Sequence, residues 1–468
     1  MRRFLLTTAA VAGAALCLSG VANAQQAAFP APPAGEAGPS FGVFGTTPQT
    51  ASAAEAPGVA APNSFVVHLN GRINWYAGMF SSSANQFNAG TPGHPLTSKL
   101  DPYGFVGYLR LYPGFNAVAA NGLKYGVVGE IRMPGGGFVG PGMTAGSNDG
   151  ANQTLWWHTA YGYVGSDQLG DFRFGMGPNA TALWQGNFTT EGFNDGAWDG
   201  DVPSLLPSAA IPSFPFADDD PLWNGNKIVY LSPNFSGFQF GASFQPNNAN
   251  LWDNANCSGA AGPTCTPLAS TPFVGLVPNS ARTRNMVDVA GMYNATFGGV
   301  GVGALATFVG SSHVNSSTPL AINYNGYAVG VFGLSVSFGG FTLAGNLNYG
   351  EMNGDWGMQP RGGVNEVAWM AGGQYSAGPV VVGASYFRNN FSGNWLPSTG
   401  VARTETDQGI AAGGTYSLVP GMGIYLSYLY GLKHQVGWNF NAGAPSALVA
   451  GGNNTRAQVI AIGTVLSW

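Results

Sequence analysis

From Phe65 onward the chain repeats one pattern: apolar and polar residues alternate with a period of two, in segments of about ten to fifteen residues. In the first of them Val67, Leu69, Gly71, Ile73 and Trp75 alternate with His68, Asn70, Arg72 and Asn74. Such alternation fits an extended strand with one face against an apolar medium and the other against water, because successive side chains of a strand point to opposite faces. A helix would need a period near 3.6, which is not evident. One such strand is compatible with a soluble sandwich, so the discriminating feature is how the segments are spaced.

The pattern predicts sixteen strands, at about 65–77, 102–113, 122–133, 154–166, 169–177, 225–232, 236–245, 283–297, 299–309, 324–338, 340–350, 363–377, 379–389, 404–418, 421–434 and 452–468. After the fourth, the connections alternate strictly in length. The short ones are Ser166 to Asp171, Pro233 to Gly237, Gly298-Gly299, Gly339-Gly340, Gly378-Pro379 and Pro420-Gly421, all rich in turn formers. Long polar connections lie between them. Tight turns at one end and long loops at the other are the habit of outer-membrane barrels, and a soluble sandwich has no reason to sort its loops this way.

The composition agrees. Only 8% of residues are charged while 73 are Gly and 13% aromatic, too apolar for a disordered chain and too rich in glycine for a helical one. Beyond the leader no uninterrupted apolar stretch could serve as a membrane helix, so a membrane must be crossed by strands. Met1-Arg2-Arg3, the apolar run Phe4 to Leu18 and Ala22-Asn23-Ala24 read as a secretory signal peptide, residues 1–24. The run is shorter than the roughly 20 residues a spanning helix needs. Leu16 before Cys17, where a lipoprotein signal wants a small residue, argues against a lipid anchor. Residues 25–63, dominated by Ala, Pro, Gly, Ser and Thr, read as a flexible lead-in, with a tether to the cell wall or a partner as the alternative; residues 64–468 read as the barrel.

In an exported chain Cys257 and Cys265, in the segment CSGAAGPTC, are expected to close one disulfide in the fourth external loop. A zinc site is not supported: no histidine lies in the segment, and two cysteines supply half a ligand set. Mass spectrometry after non-reducing isolation should find the two joined; two free thiols would refute the pairing.

The last segment places Ile460, Ile462, Thr464, Leu466 and Trp468 on one face, and this aromatic ending resembles the signature that outer-membrane barrels present to their assembly machinery. Together with NGRINWYAGMF, the pair AYGYVGSDQLGDFRFGMG (Ala160 to Gly177), the pair NKIVYLSPNFSGFQFGASF (Asn226 to Phe244) and the closing IAIGTVLSW, it makes the chain similar to the general porin family of Gram-negative bacteria, above all its alphaproteobacterial branch. The resemblance covers essentially Phe65 to Trp468. It implies an all-β transmembrane antiparallel barrel of sixteen strands in the outer membrane, assembled as a homotrimer. It also implies a third external loop folded into the lumen to narrow it. Membrane lipid and lipopolysaccharide would surround it, with Trp468 meeting the barrel-assembly machinery. The Ala/Pro-rich lead-in departs from the short N-terminus usual in porins.

Pro178 to Asn224 stands where that third loop would be and is the longest connection. It carries seven acids, Glu191, Asp195, Asp199, Asp201, Asp218, Asp219 and Asp220, and no Lys or Arg. Loss of Arg2 and Arg3 with the leader leaves 14 basic residues against 21 acids, a net of −7, so this loop accounts for the whole imbalance. Arg72, Arg110, Lys124, Arg132 and Arg173 fall on the polar parity of their strands. A lipid-facing Arg at mid-membrane costs about 2–4 kcal/mol, so these side chains are expected to point inward. An acidic loop facing a basic wall would set a transverse field across a constriction, and the acids would bias it modestly toward cations.

Asp218-Asp219-Asp220 is a candidate calcium site, although three consecutive acids need a sharp turn to face one ion; no other cofactor is expected. His68, His94, His158, His313 and His434 are scattered without ligand spacing, and no phosphate-binding glycine motif or nucleic-acid signal appears. The function these features favour is a water-filled channel for passive diffusion of small hydrophilic solutes and ions, not an enzyme. A sugar-selective channel using Trp184, Trp198 and Trp223 is the alternative, and a barrel enzyme or structural anchor is a third.

Overall fold

The structure, a computed structural model, describes residues 60–84, 86–87, 98–99, 101–133, 155–190, 192–216, 220–223, 225–247, 283–314, 323–394, 404–441, 444–445 and 452–468. The signal-peptide and lead-in readings up to residue 59, the Cys257–Cys265 pairing, and Glu191, Asp218 and Asp219 lie outside the described residues.

Sixteen strands form one closed antiparallel barrel. They are β1 Ser64–Ser82, β2 Tyr103–Val118, β3 Lys124–Arg132, β4 Trp156–Ser166, β5 Gly170–Met176, β6 Asn226–Leu231, β7 Phe238–Asn247 and β8 Arg284–Phe297. The second half adds β9 Val300–Gly310, β10 Ala328–Phe338, β11 Phe341–Glu351, β12 Glu366–Ala377, β13 Val380–Phe391, β14 Glu405–Val419, β15 Met422–Gln435 and β16 Asn454–Ser467. Each strand pairs with its sequence neighbours, and β16 closes on β1 in a ladder from Arg72 opposite Ser467 to Ser82 opposite Ala457. A sheet with no free edge satisfies every strand internally, which is what a strand-built wall in lipid requires.

All sixteen segments expected from the alternation are present. The largest differences are at the ends of β1 and β2, each running five residues further than the pattern indicated. Pro113-Gly114 looks like a break. Pro113 lacks an N–H, and the β2–β3 pairing skips from Leu111 opposite Ile131 to Gly114 opposite Val128, but the strand continues because its other edge stays paired to β1. The tight turns behave as their glycines demand: Gly298 and Gly299 have φ of 56° and 85°, Gly339 and Gly340 54° and 87°, the left-handed pair a two-residue hairpin needs.

The two faces differ as the alternation predicts. On β1, Val67 is 71% exposed while its same-strand neighbour Arg72 is 3% exposed. Outward-facing aromatic residues gather at both rims. Phe338, Phe341 and Tyr375 pack at the short-turn end, with ring centroids 5.9 and 4.5 Å apart. Trp369 and Tyr386 pack at the long-loop end, 5.3 Å apart. On β11, Phe341 and Tyr349 lie eight residues apart, about 26 Å along the strand. Two girdles flanking an apolar band mark the level of a bilayer.

One feature of the inner face departs from the sequence reading. It is not polar throughout: Met370, Phe387, Leu429 and Val459 from β12 to β16 pack against Phe193, Trp198, Val202, Phe214 and Phe216 of the 178–224 connection. Apolar contact therefore helps to fix this segment, beside its hydrogen bonds to the wall.

The seam depends on the final residue. Trp468 exchanges backbone hydrogen bonds with Gly71 at 3.0 and 3.1 Å, and its ring lies where a side chain on Gly71 would sit. A chain ending at Ser467 should form far fewer heat-modifiable folded barrels. Normal yield from that truncation would refute a role for Trp468 in closing or assembling the barrel.

Candidate pore constriction

The connection between β5 and β6 contains two short helices, α1 Ala180–Gln185 and α2 Asp220–Trp223, and single 3-10 turns at Gly186–Phe188, Ala197–Asp199, Val202–Leu205 and Ser208–Ala210. Lys227 at the start of β6 staples its two ends: Nζ donates to the carbonyl oxygens of Gly177 and Leu222. The Asn179 side chain caps α1, accepting from the Ala182 N–H at 2.8 Å. Asp288 of β8, fully buried, accepts from the Ala180 and Thr181 N–H groups at 2.9 and 3.4 Å and from the Thr181 hydroxyl. A carboxylate at a helix start answers the unpaired donors there.

From α1 the segment bonds to inward-facing side chains on strand after strand. Gln185 donates to Asn348 of β11 at 2.8 Å, Thr415 of β14 donates to the Phe193 carbonyl at 3.0 Å, and Asn194 donates to Ser427 of β15 at 3.0 Å. Asn74 of β1 donates to Asp201 at 3.0 Å and Arg110 of β2 approaches it at 3.8 Å. On the return, Thr455 of β16 donates to the Ala209 carbonyl at 3.3 Å, Lys433 of β15 to that of Ile211 at 3.0 Å, and the Ser213 N–H to Asp407 of β14 at 2.7 Å.

Opposite Asp201 stands a row of arginines. Arg72, Arg110 and Arg132 are direct cross-strand partners on β1, β2 and β3. Three like charges in one row repel. Several groups offset this: Glu130 bridges Arg110 at 3.5 Å and Arg132 at 2.7 Å, His158 lies 3.0 Å from Glu130, and the Tyr108 ring packs under Arg110 at 4.7 Å. Alternation placed all three arginines inward. The same alternation puts Glu130 on their face, two residues before Arg132, but the partnership is set by register, which periodicity does not give.

The other expected wall residues are elsewhere. Arg173 of β5 is level with Tyr163 and Gly126, six residues along β3 from Arg132, or about 20 Å. It contacts Asp171 at 4.0 Å and the Tyr161 ring at 5.5 Å. Lys124 lies at the turn-proximal end of β3, half exposed and paired with Asp167. So the structure brings together three of the five basic residues.

The loop acids also divide. Asp201 faces the arginines. Asp195 is 1% exposed and folds back to accept the Asp201 N–H at 2.9 Å; burial pushes its carboxyl up to about 6. Asp199 is partly exposed on the 3-10 turn. Asp220 opens α2. Among the described residues no group of His, Cys, Asp or Glu is arranged to hold a metal ion. Trp184, Trp198 and Trp223 present no open face: all are buried, Trp198 against Phe387 and Trp223 against His158. They anchor the loop, which removes the feature on which a sugar-selective reading rested.

A second charged cluster escaped the sequence reading. Glu405 and Asp407 of β14 flank Lys433 of β15 at 3.4 and 3.5 Å, beside Glu366 of β12, which accepts the Gly354 N–H at 2.6 Å. The i, i+2 spacing of Glu405 and Asp407 signals a shared face, but only barrel closure brings Ser213 of the loop against it.

A closed sixteen-strand barrel with an apolar belt and a charged inner face defines an outer-membrane channel protein. A family model for Gram-negative porins matches residues 7–433, and the chain belongs to that family. It is located in the outer membrane. Among solved structures, the anion-selective porin of Comamonas acidovorans superposes with a TM-score of 0.50 at 14% identity, covering 86% of this chain and all of that one. The trimeric OmpT of Vibrio cholerae gives 0.49 at 13%, covering 86% and 99%, and the DcaP channel of Acinetobacter baumannii 0.49 at 11%, covering 88% and 100%. No curated protein sequence matches the chain.

Proposed function

We propose that the protein is a non-catalytic homotrimeric channel for passive diffusion of small hydrophilic solutes and ions, narrowed by the 178–224 connection folded across its lumen. The observation that carries this is the ring of hydrogen bonds from that connection to inward-facing side chains on β1, β8, β11, β14, β15 and β16, completed on β2 by the Asp201–Arg110 ion pair. In this reading the path for solutes runs beside the Asp201–Arg110 contact, which is closed at 3.8 Å, on the side where Asp199 is partly exposed. The charged groups along it give a local field that lets polar solutes align and makes apolar ones shed ordered water without recompense.

The pore prefers cations modestly. The support is the acidic loop, which carries Asp199 and Asp201 and no Lys or Arg. Lipopolysaccharide and outer-membrane lipid surround the barrel. Single-channel recording in a planar bilayer tests the reading: purified protein should give large ohmic steps. Absence of conductance from correctly folded trimers would refute it and favour a structural anchor.

A further inference from the structure

The lipid-facing side of β12 to β16 carries a feature that solute passage does not use. Cross-strand pairing sets Trp369, Arg388, Gln408, Leu432 and Arg456 in one row, one residue from each strand. Arg388 and Arg456 are exposed and share the outward parity of Ile410 and Ile460. The row lies one step beyond Tyr386 and Tyr430 toward the long loops and contains Trp369, so it stands at the outer edge of the aromatic girdle.

Its polar neighbours satisfy one another. Thr406 donates to Asn390 at 2.9 Å, His434 meets Asn454 at 2.6 Å, and Tyr386 donates to Gln408 at 2.9 Å. The guanidinium groups of Arg388 and Arg456 have no ion pair or hydrogen bond with the described residues. No Asp or Glu shares this face among the described residues of the five strands, since Glu366, Glu405 and Asp407 all turn inward. Three strand spacings separate the two arginines, about 14 Å.

We propose that Arg388 and Arg456 form a binding site for the phosphorylated headgroup of lipopolysaccharide in the outer leaflet. This rests on the reading above that lipopolysaccharide surrounds the barrel at its long-loop end. Guanidinium suits the ligand: it is always charged and meets phosphate oxygens with paired N–H donors. A phosphate there supplies the counter-charge that the protein omits, and the girdle below holds the acyl region at the right depth.

The test measures binding of detergent-purified trimers to lipopolysaccharide and to the same lipid after dephosphorylation. Arg388→Gln with Arg456→Gln should weaken binding of the phosphorylated lipid about thirtyfold, at about fivefold for each arginine near a charged membrane surface. Raised salt should weaken binding by the unaltered protein more than by the double variant. Equal affinity of the two proteins would place binding elsewhere and overturn the site. Equal affinity of the unaltered protein for both lipids would overturn the phosphate chemistry. No binding of either lipid would overturn the underlying reading as well. Loss of trimers in the double variant, with each single variant still trimeric and binding normally, would make this face a contact between protomers and also overturn the proposal.

Discussion

Under a KCl gradient across a planar bilayer, Asp199→Asn combined with Asp201→Asn should shift the reversal potential toward anion preference with conductance nearly kept. Asparagine keeps size and hydrogen-bonding capacity, and the Asp201 oxygen that accepts from Asn74 has a counterpart in the amide. What disappears is charge beside Arg110, which retains Glu130 at 3.5 Å. A unit charge about 7 Å from the ion path contributes about 0.6 kcal/mol at the dielectric of water, close to threefold in local cation concentration. An unchanged reversal potential would show that these acids do not line the path.

Asp195→Asn should behave differently, because Asp195 is sealed from solvent. Its carboxyl ionises in the folded chain near pH 6, above the ordinary value of 3.8. The folded state therefore holds the proton more tightly than the unfolded one, and this residue's contribution to stability falls as pH rises from about 4 through 6. Thermal unfolding of Asp195→Asn should lack that decline while its reversal potential stays that of the unaltered protein.

Asp288→Ala should produce the other large effect: noisier, larger single-channel steps and a lower unfolding temperature. The carboxylate accepts two backbone N–H groups and the Thr181 hydroxyl at the point where the loop leaves the wall. Each buried donor left without a partner costs about 1–3 kcal/mol. That penalty falls on the segment and not on the strand ladder, so the barrel should survive while the loop loses its fixed position. Asp288→Asn, which keeps one acceptor oxygen, should fall between. Steps and noise identical to the unaltered protein in Asp288→Ala would mean that this contact does not hold the loop.

Period-two alternation by itself determined the strand count, the inward direction of Arg72, Arg110 and Arg132, and the outward direction of the Val67, Leu69 and Trp75 face. Each follows from the two-sided geometry of a single strand in its surroundings, so no knowledge of neighbours was needed. Loop lengths likewise showed which end bears tight turns, because Gly-Gly pairs such as Gly298-Gly299 admit the backbone a two-residue hairpin requires.

Only the tertiary structure decided which inward residues meet. Register aligned three arginines in one row and left Arg173 and Lys124 some 20 Å or more along the strands, although all five share a parity. Closure of the barrel brought Asp407 of β14, Asn74 of β1 and Asp288 of β8 to one connecting segment that lies far from each of them in sequence. It also turned Trp198 and Trp223 from candidate sugar platforms into buried anchors. A periodic pattern reports the face of a residue, whereas its partner depends on how far each strand is offset from the next, and that offset is a property of the closed sheet as a whole.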